Sequence, residues 1–208
     1  MEAQLKVPGG NFLEEILPDQ IVSDFTARFP GFFRLPYPGF LSDRYTMANL
    51  YLCSNITVME RDLLVKLLSS SFDFALYTGS SIAAYPNVKP RGLVRSLEEM
   101  PIIFHESKIS LNTTTRGILT GLPLRIFDIL SAGGFCLTNY QEELQDELIP
   151  GEHLDAYCSP DELKEKCAYY ISHEKERKEI AENAFSYVSS HCTMEIRLTK
   201  MLEVAFQI

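Results

Sequence analysis

The most regular alternation of apolar and polar positions lies in the last third of the chain. Leu163, Cys167 and Tyr170 recur at intervals of four and three residues, which is the spacing of one buried face of an α-helix. The segments 174–188 and 193–208 repeat this periodicity. We therefore predict three successive amphipathic helices at the carboxyl end of the chain.

Short apolar runs alternate with helical segments through the middle of the chain. Runs of this length, rich in β-branched and aromatic residues, are typical of strands buried on both faces. The predicted strands are 72–78, 92–96, 108–112, 135–140 and 154–158, and the predicted helices between them are 98–107, 122–134 and 141–149. Strands that alternate with helices predict an α/β fold, in which a Rossmann-like parallel sheet is flanked by helices.

Two sequence signatures predict where helices begin. Ser159 precedes a proline at the first helical position and has Glu162 three residues further on, which is a capping pattern. Thr57 and Glu60 have the same spacing inside the helical segment 41–70, and we interpret them as a second capping box. This segment adds a helical amino-terminal arm to the fold.

The first forty residues differ from the rest of the chain. They show no clean period, and FPGFFRLPYPGF places three prolines and two glycines among aromatic residues. Proline fixes φ and removes a hydrogen-bond donor, so this composition disfavours a helix. We predict that residues 1–40 are an extended arm or linker remnant and that residues 41–208 form one Rossmann-like domain.

Polar residues follow three of the predicted strands at their carboxyl ends. In parallel α/β sheets these ends share one edge, and ligands bind there. The residues are Thr78 and Gly79, Asn112 and Thr113, and Thr138 and Asn139. No G-x-G-x-x-G motif is present, so a dinucleotide fingerprint is absent. The sequence predicts a rim that binds a phosphate-bearing ligand.

Composition and charge narrow the class of partner. The net charge of −9 argues against nucleic acid, and no run of about 18 apolar residues predicts a membrane span. The amino terminus does not have the pattern of a secretory signal, so we expect a cytoplasmic protein with buried free thiols. The five cysteines show no metal-ligand spacing, and we predict no metal site. Residues 79–140 carry six Lys or Arg against four Asp or Glu, a local excess that suits a phosphorylated small molecule.

Two segments in the second half of the chain resemble a known family. LNTTTRGILTGLPLRIFDILSAGGFCLTNY and ELIPGEHLDAYCSPDELKEKCAYYISHEKERKEIAENA are similar to the carboxyl-terminal domain of GT-B glycosyltransferases, in the CgeB-like (spore-maturation) or group-1-like branch. The likeness runs from about residue 35 to the end. It implies a nucleotide-sugar donor domain that faces an acceptor domain across a cleft. From the resemblance we expect this chain to supply the donor domain and to lack the amino-terminal acceptor domain.

The resemblance also implies roles for particular residues. Asp128 lies five residues before Gly133, where related enzymes have a glutamate that binds the ribose hydroxyls. Thr120 stands where the larger superfamily commonly has a second glutamate. Arg116 and Arg125 are the candidates for the diphosphate, because a guanidinium offers paired donors to phosphate oxygens. The nucleotide-diphosphate sugar is a substrate, and the resemblance implies neither a cofactor nor a metal.

Several interpretations stay open from the sequence. Asp128 and Arg125 fit a solvent-facing ion pair at i, i+3 as well as a ligand role, and no catalytic residue is assigned. A non-catalytic Rossmann-like interaction module is the alternative to a glycosyltransferase, and Thr120 is consistent with it. A GT-B-like nucleotide-sugar epimerase ranks last, because carboxylates are scarce in residues 79–140.

Overall fold

A small parallel sheet surrounded by helices forms the centre of the protein. The computed structural model describes residues 12–31, 42–118 and 120–206. In these ranges the helices are α1 (Leu13–Ile16), α2 (Asp19–Arg28), α3 (Asp43–Tyr45), a π-helix (Thr46–Leu52), α4 (Cys53–Ser71), α5 (Met100–Glu106), α6 (Leu124–Ser131), α7 (Leu144–Glu147), α8 (Pro160–Ser172), α9 (Glu174–His191) and α10 (Met194–Phe206). The strands are β1 (Ala75–Leu76), β2 (Lys89–Pro90), β3 (Ser110–Asn112), β4 (Cys136–Asn139) and β5 (Asp155–Tyr157).

The central sheet has the order β3-β4-β5, and all three strands are parallel. Side chains of β4 alternate between its two faces, as the pleat requires. Leu137 packs with apolar residues of α4, α8 and α9, while Cys136 packs with residues of α6, α7 and α9. Helices therefore cover both faces of the sheet, which confirms the predicted α/β architecture.

The second predicted strand lies elsewhere. β2 pairs with β1 in a separate two-stranded parallel sheet, and it ends before residues 92–96, where the sequence predicted a strand. Gly92 has a φ of +70°, a left-handed conformation that ends the extended backbone. Leu93 is 82% exposed, so its apolar side chain does not mark a buried strand.

The amino-terminal region is helical where an extended arm was predicted. α1 and α2 lie within residues 1–40. Leu13 of α1 is buried with Met47 and Ile56, and Val22 and Phe25 of α2 pack against the same cluster. Burial of these apolar side chains stabilises short helices whose periodicity is too brief to recognise in the sequence. The proline-rich segment 32–41 lies outside the described residues.

One of the two predicted helix starts is confirmed. The Ser159 side chain accepts a hydrogen bond from the Glu162 amide at 3.1 Å and caps α8. Thr57 instead lies inside α4, where its hydroxyl donates to the Cys53 carbonyl at 2.8 Å. The capping box at Thr57 and Glu60 is therefore wrong, because the helical segment begins earlier, at Ser42, whose side chain accepts from the Tyr45 amide.

The carboxyl-terminal helices form as predicted, and the acidic helix of residues 141–149 shortens to α7. None of the residues in α10 is buried.

No helix in the described ranges has the length and apolar character needed to cross a membrane. All five cysteines are free; Cys158 is exposed and Cys192 is half-buried, while the other three are buried.

Candidate functional site

A hydrogen-bonded polar network lies at the carboxyl ends of β3 and β4. The Asn112 side-chain amide donates to the Thr138 hydroxyl at 2.8 Å and to the Thr114 hydroxyl at 3.0 Å. The Thr114 backbone N–H donates to the Asn139 side-chain oxygen at 2.7 Å. These four residues are buried. We call Asn112, Thr114, Thr138 and Asn139 the rim network; it fixes the loop after β3 against the neighbouring strand.

A second set of contacts holds the far end of this loop. The Thr114 hydroxyl donates to the Gln141 side-chain oxygen at 2.9 Å, and the Gln141 amide donates to the Gly121 carbonyl at 3.4 Å. The Gly121 N–H in turn donates to the Glu143 carboxylate. Gly121 has a φ of +88°, which favours glycine at this bend just before α6. The loop is thereby tied to the segment that follows β4.

The Arg116 side chain is buried against the helix α4, to which it is hydrogen-bonded. Its guanidinium makes two hydrogen bonds to the Glu60 carboxylate, at 3.1 and 2.8 Å, and the residue is 5% exposed. The Arg116 N–H also donates to the Thr57 hydroxyl at 3.1 Å. A buried two-pronged pair of this kind fixes the loop to α4. Diphosphate binding by Arg116 stays a prediction, and the contacts in this structure are those of a loop anchor.

Sequence reasoning missed the partners of the loop. Glu60 was interpreted as a helix cap, and Arg61 and Tyr157 were not considered. Arg61 donates to the Thr113 carbonyl at 2.9 Å, and the hydroxyl groups of Thr113 and Tyr157 lie 3.4 Å apart. Burial is the main cause that raises the pKa of the Tyr157 phenol.

One signal could have identified Glu60. Ile56, Glu60 and Leu64 recur every four residues along α4, and all three are buried. A carboxylate on an otherwise apolar helical face requires a buried cation or donor nearby. The sequence shows this requirement, although it does not show which cation meets it.

Arg125 and Asp128 lie on the exposed side of α6, the helix that starts at the carboxyl edge of the sheet. The Arg125 guanidinium carbon lies 5.5 Å from the centre of the Phe104 ring, and the side chain also donates to the Met100 sulfur. Among the described residues Asp128 has no ion-pair partner, so the surface pair with Arg125 is not formed. Both side chains are exposed and accessible to a ligand.

Thr78 and Gly79 lie apart from the rim network, after the strand β1 of the separate sheet. The Thr78 hydroxyl accepts a hydrogen bond from the Ser80 N–H at 3.0 Å. A Cβ atom on Gly79 would come within 3.2 Å of the Leu93 side chain. Of the predicted residues, Asn112, Thr138 and Asn139 belong to the rim network. Thr113 and Arg116 lie on the loop after β3 and bond to α4 and β5. The network does not include Thr78, Gly79, Arg125 or Asp128.

The rim offers neutral hydrogen-bonding groups and no metal-binding cluster. In the described part of the chain, no three His, Cys, Asp or Glu side chains are placed to hold a metal ion together. The hydrogen bonds of the rim network hold the loop after β3 in one position, so this edge of the sheet is formed before a ligand binds. Arg125, in the first turn of α6, is an exposed cation on the helix that follows this loop.

Comparison with known proteins identifies the class to which this arrangement belongs. A search of curated proteins finds no match. A family model described as glycosyl transferase-like matches residues 61–203, which is more than half of the chain and includes the central sheet, the rim network and α6. The chain therefore belongs to the glycosyl transferase-like family.

Proposed function

We propose that this chain binds a nucleotide-diphosphate sugar and serves as the donor-binding domain of a glycosyltransferase. The observation that carries the proposal is the rim network, in which Asn112, Thr114, Thr138 and Asn139 lie together at the carboxyl edge of a parallel sheet. Ligands of open α/β folds bind at this edge. The family supplies the reaction class, which is transfer of a glycosyl group.

The diphosphate would lie at the start of α6. The exposed Arg125 side chain stands in the first turn of this helix, where backbone N–H groups have no partner inside the helix. A guanidinium beside a helix amino terminus attracts phosphate oxygens. In transfer the departing diphosphate gains negative charge, so the same groups stabilise the transition state.

The ribose would be bound one turn further along the same helix. Asp128 has an exposed carboxylate at i+3 from Arg125, and a carboxylate can accept hydrogen bonds from two hydroxyl groups. Arg125 and Asp128 would therefore bind different parts of the nucleotide, Arg125 the diphosphate and Asp128 the ribose. The acceptor would be held by a second domain, as in the two-domain, CgeB-like enzymes that the sequence resembles.

Calorimetric titration with UDP, GDP and ADP sugars tests the proposal. We expect at least one of them to bind, and Arg125→Ala to weaken nucleoside diphosphate binding more than nucleoside binding. Arg28→Ala is the matched control. Arg28 is the last residue of α2, and its guanidinium carbon lies 5.6 Å from the centre of the Phe29 ring, a cation–π contact similar to that of Arg125 with Phe104. Absence of binding by all three sugars at millimolar concentration would contradict the donor-site assignment.

A non-catalytic interaction module is the second candidate, and α10 is the observation that favours it. Met201, Leu202 and Val204 expose more than half of their surface on this helix. Such a surface suits a protein partner. This alternative predicts partner binding that does not change when a nucleotide sugar is added.

A further inference from the structure

A cavity of about 400 Å³ lies at the amino-terminal edge of the central sheet. Lys108 and Phe135, which line it, come just before β3 and β4, whereas the rim network comes after these strands. The cavity is therefore on the opposite edge of the sheet from the proposed donor site. It is bounded by α5, the loop that follows α5 and the first turns of α9.

Arg177 is the main cation of this amino-edge cavity. The residue is 6% exposed, and its Nη1 donates to the Tyr170 carbonyl at 2.6 Å. A guanidinium has five N–H donors, and this is its one hydrogen bond to the described residues. No fully buried side-chain nitrogen in those ranges lacks a partner, so the other guanidinium nitrogens are not fully enclosed, and Arg177 lines the cavity.

Two lysines add positive charge to the same wall. Lys178 pairs with Glu174 at 2.7 Å, and this hydrogen bond is the main cause that lowers the pKa of Glu174. Arg177 and Lys108 line the cavity together with Glu174, and their positive charges contribute to the same lowering of its pKa. The lining therefore carries three cations, Lys108, Arg177 and Lys178, against two carboxylates, Glu106 and Glu174, and this excess of positive charge favours an anion.

Two further lining residues, His105 and Glu106, offer hydrogen-bond acceptors. The His105 Nδ1 atom lies 3.0 Å from the Ala132 carbonyl oxygen. A carbonyl oxygen only accepts, so Nδ1 carries the hydrogen and Nε2 of the neutral ring is an acceptor. Glu106 adds a carboxylate to the lining. His105 and Glu106 therefore suit the hydroxyl groups of a ligand.

We propose that the amino-edge cavity binds a small phosphate monoester with a hydroxyl-bearing body, whose phosphate contacts Arg177 and Lys108 and whose hydroxyls contact His105 and Glu106. A volume of about 400 Å³ lies in the normal range for small-molecule sites. The guanidinium suits phosphate because it offers donors in a fixed planar array. This inference does not depend on the proposed glycosyl transfer.

Titration of the ¹⁵N-labelled chain by NMR, with ribose 5-phosphate as the probe, tests this site. We expect amide shifts at residues 105–108 and 173–178, and no such shifts with ribose alone. Lys108→Gln should weaken binding by about tenfold or more, as expected for loss of a hydrogen bond between charged groups. Arg177→Lys should weaken it similarly. Lys175→Gln is the control, because Lys175 is exposed on α9 and does not line the cavity.

Several outcomes of this titration would overturn the site. Shifts confined to the carboxyl edge, or no shifts at all, would do so. An equal loss of affinity in Lys108→Gln and Lys175→Gln would also overturn it, because diffuse charge attraction would then account for the binding. Lys108 is exposed, so its substitution gives the answer even if Arg177→Lys fails to fold. Equal affinity for inorganic phosphate and ribose 5-phosphate would overturn the assignment of His105 and Glu106 to hydroxyl groups.

Discussion

Glu60 and Arg116 form a buried two-pronged ion pair that joins α4 to the loop after β3. The Arg116 Nε atom lies 3.1 Å from one oxygen of Glu60 and Nη2 lies 2.8 Å from the other. The side chains of Arg116 and Glu60 are 4% and 11% exposed. The pair fixes the position of the loop that starts at Asn112, so the shape of the candidate site depends on a residue in a distant helix.

Removal of one member of this pair should destabilise the fold. Glu60→Ala leaves a buried guanidinium without its carboxylate, which costs about 3–5 kcal/mol in comparable pairs. We expect a decrease of this order in the free energy of unfolding, measured by urea denaturation. Glu182→Ala, at an exposed position of α9, is the control and should change it by less than about 0.5 kcal/mol. Similar small changes in both variants would show that the pair does not anchor the loop.

An apolar replacement of the pair distinguishes an anchor from a phosphate ligand. Glu60→Leu combined with Arg116→Met keeps similar volume, and exchanges of this kind are often neutral or stabilising. If Arg116 only holds the loop, the double variant should lose less than about tenfold in affinity for nucleoside diphosphate. This loss corresponds to a change in binding free energy below about 1.4 kcal/mol. Calorimetry measures this affinity. A larger loss in a stably folded double variant would assign Arg116 to the diphosphate.

The sequence was informative wherever one local pattern determined the structure. β3, β4 and α6 lie within their predicted ranges, because an apolar run between polar loops has few other ways to be buried. The placement of Asn112 and Thr138 at the same edge of the sheet followed from strand direction, since parallel strands end at one edge. Ser159 was recognisable because a helix cap involves only four successive residues, here Ser159 to Glu162.

The features that the sequence did not reveal depend on distant contacts. Arg116 and Glu60 are separated by 56 positions, and no local pattern links them. α1 and α2 are stabilised by packing against residues distant in the sequence, such as Met47 and Ile56, which a short periodicity does not encode. Leu93 is apolar and yet exposed, so a run of apolar letters there indicated a strand that does not form.

The Asn112 side chain is expected to determine the stability of the rim network. Its amide donates to Thr114 and Thr138, whose hydroxyl hydrogens are already donated to Gln141 and to the Asn139 carbonyl. Asn112→Ala should lower the free energy of unfolding by about 1–3 kcal/mol, because buried polar groups lose their partner. Thermal unfolding followed by circular dichroism measures the change.

Two further variants, Asn112→Asp and the control Asn183→Ala, test whether the direction of these hydrogen bonds matters. In Asn112→Asp the new carboxylate oxygen would face two hydroxyl groups that have no hydrogen left to donate, so we expect a loss at least as large as for Asn112→Ala. Asn183→Ala, on the exposed side of α9, should leave the midpoint of unfolding nearly unchanged. A stable Asn112→Asp protein would show that the network rearranges freely.

The cysteines should differ widely in reactivity towards iodoacetamide. Cys158 is exposed, whereas burial raises the pKa of Cys136 to about 12 and that of Cys167 to about 11. The thiolate is the reactive form, so buried thiols of raised pKa should be labelled only after unfolding. Burial and the charge of Glu162 also raise the pKa of Cys158, so its labelling rate should keep increasing above the pH at which a free cysteine levels off.

Mass spectrometry of the labelled sites follows this reaction, and Glu162→Gln provides the internal comparison. Loss of the nearby negative charge should lower the pKa of Cys158 and increase its labelling rate at a given pH. Labelling of Cys136 in the native protein as fast as that of Cys158 would contradict the buried position of β4.

Gly117 should tolerate no side chain, for a reason of packing alone. A Cβ atom there would come 2.8 Å from the Asn49 carbonyl oxygen, a backbone atom of the π-helix that no side-chain rotation can move away. Gly117 is not among the glycines with a positive φ. The stability lost in Gly117→Ala should therefore come from this contact and not from backbone strain. We expect a decrease of about 1–3 kcal/mol in the free energy of unfolding, measured by urea denaturation. Gly31→Ala is the matched control, since nothing lies within 4 Å of its added Cβ. An equal effect in both variants would mean that the loop moves away from the helix at little cost, and the Glu60–Arg116 pair would then have to hold the loop without help from packing.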